Sequence, residues 1–271
     1  QPSDIDADTS CLPMFYANCF YSDKVLLVGP GSPEVFRTML NAAEIWFGGK
    51  DHLRQKPSIM GLVSTNSPLQ IDGNMMSALI ELAKRGQVII ISGGGMMGTT
   101  AAITMAGAIA TSNAEVLTAI AAAQMVNPGN PVIYSAQTTS SDMKSGSIAC
   151  GGPETGVAME YNRGLADFYH LPTRGHGSLT DAKAIDAQAG YEGMLNLIAA
   201  YNSKMNFVLH GAGILDSFMS VSYEKVILDF DMIDYVKHYL KEIEVNDDTI
   251  PMEDIADVGH GGNYIASEHT L

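Results

Sequence analysis

Clustered basic residues are the first thing this sequence lacks. Its 271 residues carry 15 Lys and Arg against 30 Asp and Glu, a formal net charge of -15. Phosphate neutralisation needs grouped cations, so nucleic acid is not an expected partner. Most of the acid lies in the last third of the chain, where it reads as solvated surface. Cysteine is scarce too. Cys11, Cys19 and Cys150 lie far apart and form no C-x-x-C pair, so neither a disulfide framework nor a structural zinc site is suggested. A reducing, cytoplasmic setting is the expectation. No apolar run reaches about 18 residues without polar interruption, so no membrane span is expected, and no signal peptide is read. An initiator Met is also missing. Gln1-Pro2-Ser3-Asp4 reads as the tail of an element already under way, so the chain is expected to be a fragment of a longer protein.

Several chemical signatures are absent as well. No G-x-G-x-x-G fingerprint sits in a first βα turn. Gly146 and Ser147 lack the G-x-S-x-G context of a nucleophile elbow. Gly93-Gly94-Gly95 lacks the Gly-Lys-Ser/Thr ending of a phosphate loop and reads as a tight turn.

What is present is core. Hydrophobic residues make up 46% and charged residues 17%. Six short apolar strands are predicted at 23–28, 58–63, 88–91, 131–135, 171–174 and 207–210, each followed by a polar or glycine-bearing loop and a helical pattern. The helices are expected near 32–47, 73–85, 99–110, 114–125, 154–169, 186–201, 222–243 and 252–258. Near-continuous apolar strands separated by helices imply a parallel α/β sheet covered on both faces. Chemistry-bearing residues follow nearly every strand rather than one crevice. That favours a TIM (β/α)8 barrel over an open doubly wound sheet. The chain is expected to supply about six βα units plus C-terminal helices, as a single barrel domain over 1–271 lacking the N-terminal region and first strands.

The most informative stretch is 171–191, LPTRGHGSLTDAKAIDAQAGY. A histidine between two glycines at a strand end gives a sharp turn and close ligand approach. Side chains at the C-terminal strand ends of a barrel converge on one mouth. The candidates there are Asp4, Ser64, Asn66, Ser92, Gln137, Thr138, Glu154, His176, Asp181, His210 and Asp216. For most of them, loop capping is the competing role. His176 and His210 each follow strand residues and sit beside glycine, so their imidazoles are expected to face the mouth. With a third carboxylate they could ligate zinc. No i, i+4 His pair and no strand-end cysteine supports that, so no metal is expected.

Longer strings carry a resemblance. They include Ala114-Glu115-Val116-Leu117, Val126-Asn127-Pro128-Gly129 and Gly151-Gly152-Pro153-Glu154. Further on come Leu165-Ala166-Asp167-Phe168-Tyr169, Thr180-Asp181-Ala182-Lys183 and Asp186-Ala187-Gln188-Ala189-Gly190-Tyr191-Glu192. The last are His210-Gly211-Ala212-Gly213-Ile214-Leu215-Asp216, Ile243-Glu244-Val245-Asn246-Asp247 and Glu268-His269-Thr270-Leu271. With these the chain resembles the trimethylamine methyltransferase superfamily, and within it the members without pyrrolysine, such as glycine betaine methyltransferases.

The resemblance implies a TIM barrel that passes a methyl group from a methylated amine to Co(I) of a separate corrinoid protein, as in methanogenesis. The corrinoid (cobalamin) belongs to that partner, and no cofactor is expected to be held tightly by this chain. Methylamine-specific members carry pyrrolysine. Here the equivalent position is expected near Pro153 to Gly156, with Gly156 standing in its place. A quaternary ammonium leaves as a neutral tertiary amine without protonation, so positioning alone supplies much of the rate. Glycine betaine is the favoured donor. Carnitine, proline betaine or a trimethylamine-like amine is the alternative, as is a barrel that binds a methylamine or corrinoid protein without turnover.

From strand-end position, aromatic faces and carboxylates for the cation are assigned to Tyr134, Phe168, Glu154 and Asp181. The substrate's polar end is assigned to His176, His210, Gln137 and Asn66. Oligomeric state is left open.

Overall fold

The structure, a computed structural model, describes residues 4–6, 9–29 and 31–271. The expectations for Gln1 to Ser3, and for Pro30 in the first strand-exit loop, lie outside these residues. The chain divides into two compact units, Gln1–Ile233 and Asp234–Leu271.

In the first unit, helix α1 (Cys11–Tyr21) precedes strand β1 (Leu26–Val28), then α2 (Pro33–Trp46), α3 (Lys50–Gln55), β2 (Ile59–Ser64) and α4 (Gly73–Lys84). Pro33 opens α2 at the first helical position, where its missing N–H costs nothing. Asp72 caps α4 by accepting from Asn74 N and Met75 N. Next come β3 (Val88–Met97), α5 (Met105–Val126), β4 (Val132–Ser141), the short β5 (Ile148–Ala149) and α6 (Pro153–Phe168). The unit continues with β6 (Arg174–His176), α7 (Ala187–Asn202), β7 (Phe207–Leu209), the β8/β9 ribbon (Ile214–Leu215 with Ser220–Val221) and α8, Tyr223–Tyr239, within which the division between the units falls. The second unit adds α9 (Met252–Val258). There the His269 amide donates to Asp254 Oδ2 at 2.9 Å.

Strands β1, β2, β3 and β4 pair in parallel, in that order. A single parallel bridge, Tyr134 to Thr173, carries the sheet on to the β6/β7 pair. The result is a mixed α/β architecture with a curled half-barrel sheet. Its convex side packs on helices through Phe36, Leu40, Leu79, Leu82, Ile89 and Ile91, all buried.

At the β4/β6 seam, side chains stand in for the strand ladder. Asn162 Oδ1 accepts from Ala136 N at 2.8 Å, while its Nδ2 donates to Thr173 Oγ1 and to the Arg174 carbonyl at 2.8 and 3.0 Å. Gln137 Nε2 donates to the same carbonyl at 2.9 Å. Buried amides satisfy backbone groups that a regular ladder would otherwise pair.

Two expectations are corrected. Gly93-Gly94-Gly95 is not a turn but the middle of β3, paired with Ala136, Gln137 and Thr138 of β4. A Cβ on Gly93 or Gly95 would meet Ser112 at 3.1 Å or Ala101 at 2.9 Å, so the missing side chains let α5 and its approach lie against the strand. The two helices expected at 99–110 and 114–125 are one, α5. Thr99 to Ala101 instead form a turn closed onto the Met96 carbonyl. Helix α5 also has the length and apolar composition of a membrane span; in this fold it lies along β3 and β4 and buries Ala108, Val116, Ala119 and Ala123.

Among the described residues of this unit one ion pair is fully buried. Lys225 Nζ contacts Asp229 Oδ1 and Oδ2 at 2.8 and 2.7 Å and donates to Ser178 Oγ at 3.0 Å. Asp229 also accepts from Gly213 N at 2.7 Å, so the pair pins the β8/β9 approach to the loop after β6. Removing one partner of such a pair strands the other charge. Lys225→Met should therefore lower unfolding free energy by about 3–5 kcal/mol, and Lys225→Met with Asp229→Leu should recover part of the loss. Urea melts of the three proteins check this.

Candidate functional site

The concave side of the sheet encloses a cavity of about 360 Å³. Strand alternation decides its lining. On β4, Tyr134 and Ala136 belong to the convex core, leaving Ser135 and Gln137 for the other face. On β6, Gly175 faces Met205 and Met159, while Arg174 and His176 line the cavity. Ser92, Gly94, His210 and Phe218 complete the relevant wall. A Cβ on Gly94 would meet nothing within 4 Å.

Arg174 organises this space. It is 3% exposed, and its Nη1 donates to Ser92 Oγ and Ser135 Oγ at 3.2 and 3.3 Å. Its Nη2 donates to His176 Nδ1 and His210 Nδ1, each at 3.3 Å. All four partners are neutral, and among the described residues no carboxylate pairs with the guanidinium. Arg174 Nε and Gln137 Oε1 are buried without a hydrogen-bond partner. Burial lowers the arginine to about 10, so it stays charged at neutral pH.

Arginine can only donate, so each Nδ1 must accept and each imidazole carries its proton on Nε2. Burial first, and then the nearby guanidinium, drop His210 to about 4. The same causes, with His210 added, hold His176 well below the usual histidine range. The two rings stack, with centroids 6.0 Å apart and planes at 19°. The cavity thus offers a fixed positive charge and two neutral N–H donors, inside a chain that is strongly acidic overall.

The structure brings five of the candidate residues together here: Ser64, Ser92, Gln137, His176 and His210. The others lie elsewhere. Tyr134 is fully buried and donates to Asn113 Oδ1 at 2.6 Å. Phe168 is 75% exposed at the end of α6. The Glu154 carboxylate folds back near Gly152, and Asn66 Oδ1 accepts from Asp72 N at 3.2 Å. Gly156 is buried on α6, where an added Cβ would come within 3.2 Å of Ala199 on α7. Its place is helix packing, outside the cavity lining.

Asp181 is turned into the loops. Its Oδ1 and Oδ2 accept from Cys150 N and Gly151 N at 2.8 and 3.0 Å, and Ser217 Oγ donates to Oδ1. Glu115 is used in the same way, accepting from Thr65 Oγ1, Ser67 Oγ and Leu69 N. Among the described residues no group of three or more His, Cys, Asp and Glu side chains is placed to hold a metal ion.

Sequence reasoning passed over Arg174, Ser135 and Phe218. The signal for the first was available. In Arg174-Gly175-His176, strand alternation puts the arginine on the same face as the histidine.

A family model described as trimethylamine methyltransferase (MTTB) matches residues 1–271. The chain belongs to that family. It is 40% identical over 270 residues to a glycine betaine methyltransferase of Desulfitobacterium hafniense strain Y51, covering 100% of this chain and 56% of that protein. It is 34% identical over 253 residues to a trimethylamine methyltransferase MttB of another strain of that species, covering 92% and 50%. Trimethylamine methyltransferase MttB1 of Methanosarcina mazei is 35% identical over 238 residues, covering 88% and 47%. The chain therefore spans about half the length of these curated relatives.

Two expectations follow from the site. Histidines neutral in the fold but protonated when unfolded make stability fall as pH drops. Here the unfolded state binds the extra proton between its ordinary value of about 6.5 and the folded value, so stability rises with pH across that window. For His210 the window runs from about 6.5 down to about 4. Urea melts between pH 7.5 and 4.5 should show a shallower fall for His210→Asn, by at most about 1.4 kcal/mol per pH unit. The glycines give the second expectation. Gly94→Ala should leave stability within about 1 kcal/mol, while Gly95→Ala should cost about 1–3 kcal/mol by crowding Ala101; paired urea melts separate them.

Proposed function

We propose that this chain is part of a (β/α)8-barrel methyltransferase that takes a methyl group from a carboxylate-bearing quaternary amine, glycine betaine, and delivers it to a corrinoid protein. The observation that carries the amine is the unneutralised guanidinium of Arg174 at the cavity wall. A carboxylate ligand would supply the missing counter-charge and accept from the imidazole Nε2–H groups. Both Nη groups already donate to Ser92, Ser135, His176 and His210, so the guanidinium would act on the carboxylate through its charge while the imidazole N–H groups donate. Trimethylamine has no carboxylate to offer. The relative named as a glycine betaine methyltransferase supports the same choice. Carnitine and proline betaine share both charged ends with glycine betaine.

The chain's own work on such a substrate is binding and orientation. Arg174, with His176 and His210, holds the carboxylate, and Gln137 is braced on the Arg174 carbonyl at the cavity wall. A Co(I) corrinoid on the docked partner would supply the electron pair that bonds the methyl carbon, the C–N pair would stay on nitrogen, and the product would leave as a tertiary amine neutral at nitrogen. No proton has to be delivered to the leaving group, which fits a lining with two imidazoles held neutral and no carboxylic acid. Fixing the donor relative to the nucleophile is worth several kcal/mol of the barrier. The corrinoid carrier rests on the family resemblance; the cavity speaks to the amine.

The test is a Co(I) assay of the full-length protein with its corrinoid partner, followed by the absorbance change on methylation of cobalt. Glycine betaine should support transfer and trimethylamine should not. Arg174→Gln should lower kcat/KM for glycine betaine by at least about 30-fold, the loss expected for a truncated charge pair. Transfer from trimethylamine at the glycine betaine rate, or an unaffected Arg174→Gln enzyme, contradicts the assignment. Tight binding of glycine betaine without any transfer identifies a binding barrel.

A further inference from the structure

Beside the histidines the cavity wall carries a second kind of chemistry. Among its described lining residues there is no carboxylate, so a cationic group entering it finds no counter-ion. It finds aromatic faces instead. Phe218 supplies the one benzene ring of that lining, and its centroid lies 4.8 Å from that of His210 and 6.1 Å from that of His176. Both imidazoles are neutral, so neither repels a cation as an imidazolium would.

The backbone under Phe218 is unusual. Asp216, Ser217 and Phe218 have φ of 50°, 49° and 79°, three successive non-glycine residues in the left-handed region. Such a run is costly for residues with a Cβ and persists only where the surroundings dictate it; strain of this kind gathers at ligand clamps. The dictating contacts are visible. Asp216 N donates to the Ala182 carbonyl at 2.9 Å and Ser217 N to the Thr180 carbonyl at 3.1 Å. Ser217 Oγ donates to Asp181. The β8/β9 ribbon closes the turn from both sides, Leu215 opposite Ser220. A right-handed turn would have been easier to make; this one places a phenyl ring on the cavity wall.

We infer that Phe218 is the specificity-determining residue for the onium end of the ligand: its ring selects a quaternary ammonium over an uncharged group of the same shape. The inference rests on the betaine reading, in which the carboxylate occupies Arg174 and the cationic end turns toward the remaining wall. Attraction of a desolvated cation to an aromatic face accounts for selectivity without a counter-charge.

A matched pair of ligands tests this without turnover. Glycine betaine and 3,3-dimethylbutanoate have the same carboxylate and nearly the same shape; nitrogen in one is carbon in the other, so only the positive charge differs. Their affinities are measured by titration calorimetry on the full-length protein. The unaltered protein should prefer glycine betaine by about 5-fold or more, and Phe218→Leu should shrink that preference to within about twofold by weakening glycine betaine alone. Phe218→Tyr should retain it. Phe218 is 36% exposed, so these replacements are not expected to unfold the chain, and matched thermal melts confirm that they have not. Equal weakening of both ligands by Phe218→Leu makes the ring a mere wall and overturns the inference, as does an undiminished preference. If the unaltered protein binds neither compound, the betaine reading falls and this inference falls with it.

Discussion

A buried guanidinium without a carboxylate beside it is the constraint on which the rest of the site depends. Taking a charge out of water is expensive unless it is paired and fully hydrogen-bonded. Arg174 is only partly compensated: two serine hydroxyls and two imidazole nitrogens receive its donors, and Nε goes unserved. Those contacts fix the tautomer of both histidines, and burial first, then the guanidinium, holds them uncharged. They also span the concave face, because the acceptors come from β3, β4, β6 and the residue after β7. One side chain thereby sets the electrostatics of the cavity and ties together the strands that form it.

The seam beneath Arg174 follows from the same geometry. Strands β4 and β6 meet at a single bridge, and beyond it the side chains of Asn162 and Gln137 take over the work of the ladder. A regular parallel pairing would not need two amides at this point. The acidic residues close to the site are spent on the loops that surround it. Asp181 binds the β5/α6 loop to the Ser217 turn, Glu192 accepts from Thr180 and the Asp181 amide, and Glu115 holds the loop after β2. That partition explains how a chain of net charge -15 encloses a cavity with a positive wall.

Much of the fold was legible because buried parallel strands write themselves as short apolar runs. Ile89 to Ile91 and Ile59 to Val63 fall where expected. The same rule hid what lay beyond. β3 and β4 run on through Gly93-Gly94-Gly95 and Ala136 to Ser141, where the concave face is polar and the convex face needs small residues under α5. A glycine run there resembles a turn in one dimension and is a strand in three.

The site was half legible. Gln137, His176 and His210 converge as their strand-end positions implied, whereas Tyr134 faces the core because it is one residue out of phase with Ser135. Phe218 reaches the cavity through a left-handed turn flanked by a two-residue ribbon, and no periodicity announces such a turn. The measurement that bears most directly on the central claim is arginine-side-chain ¹⁵N NMR of the full-length protein. The Arg174 signal is assigned as the one absent from Arg174→Gln, and it is followed during titration with glycine betaine and, separately, with tetramethylammonium. An arginine waiting for a carboxylate predicts a saturable shift with the first ligand and none with the second. A signal that ignores glycine betaine, or answers both ligands alike, contradicts the account.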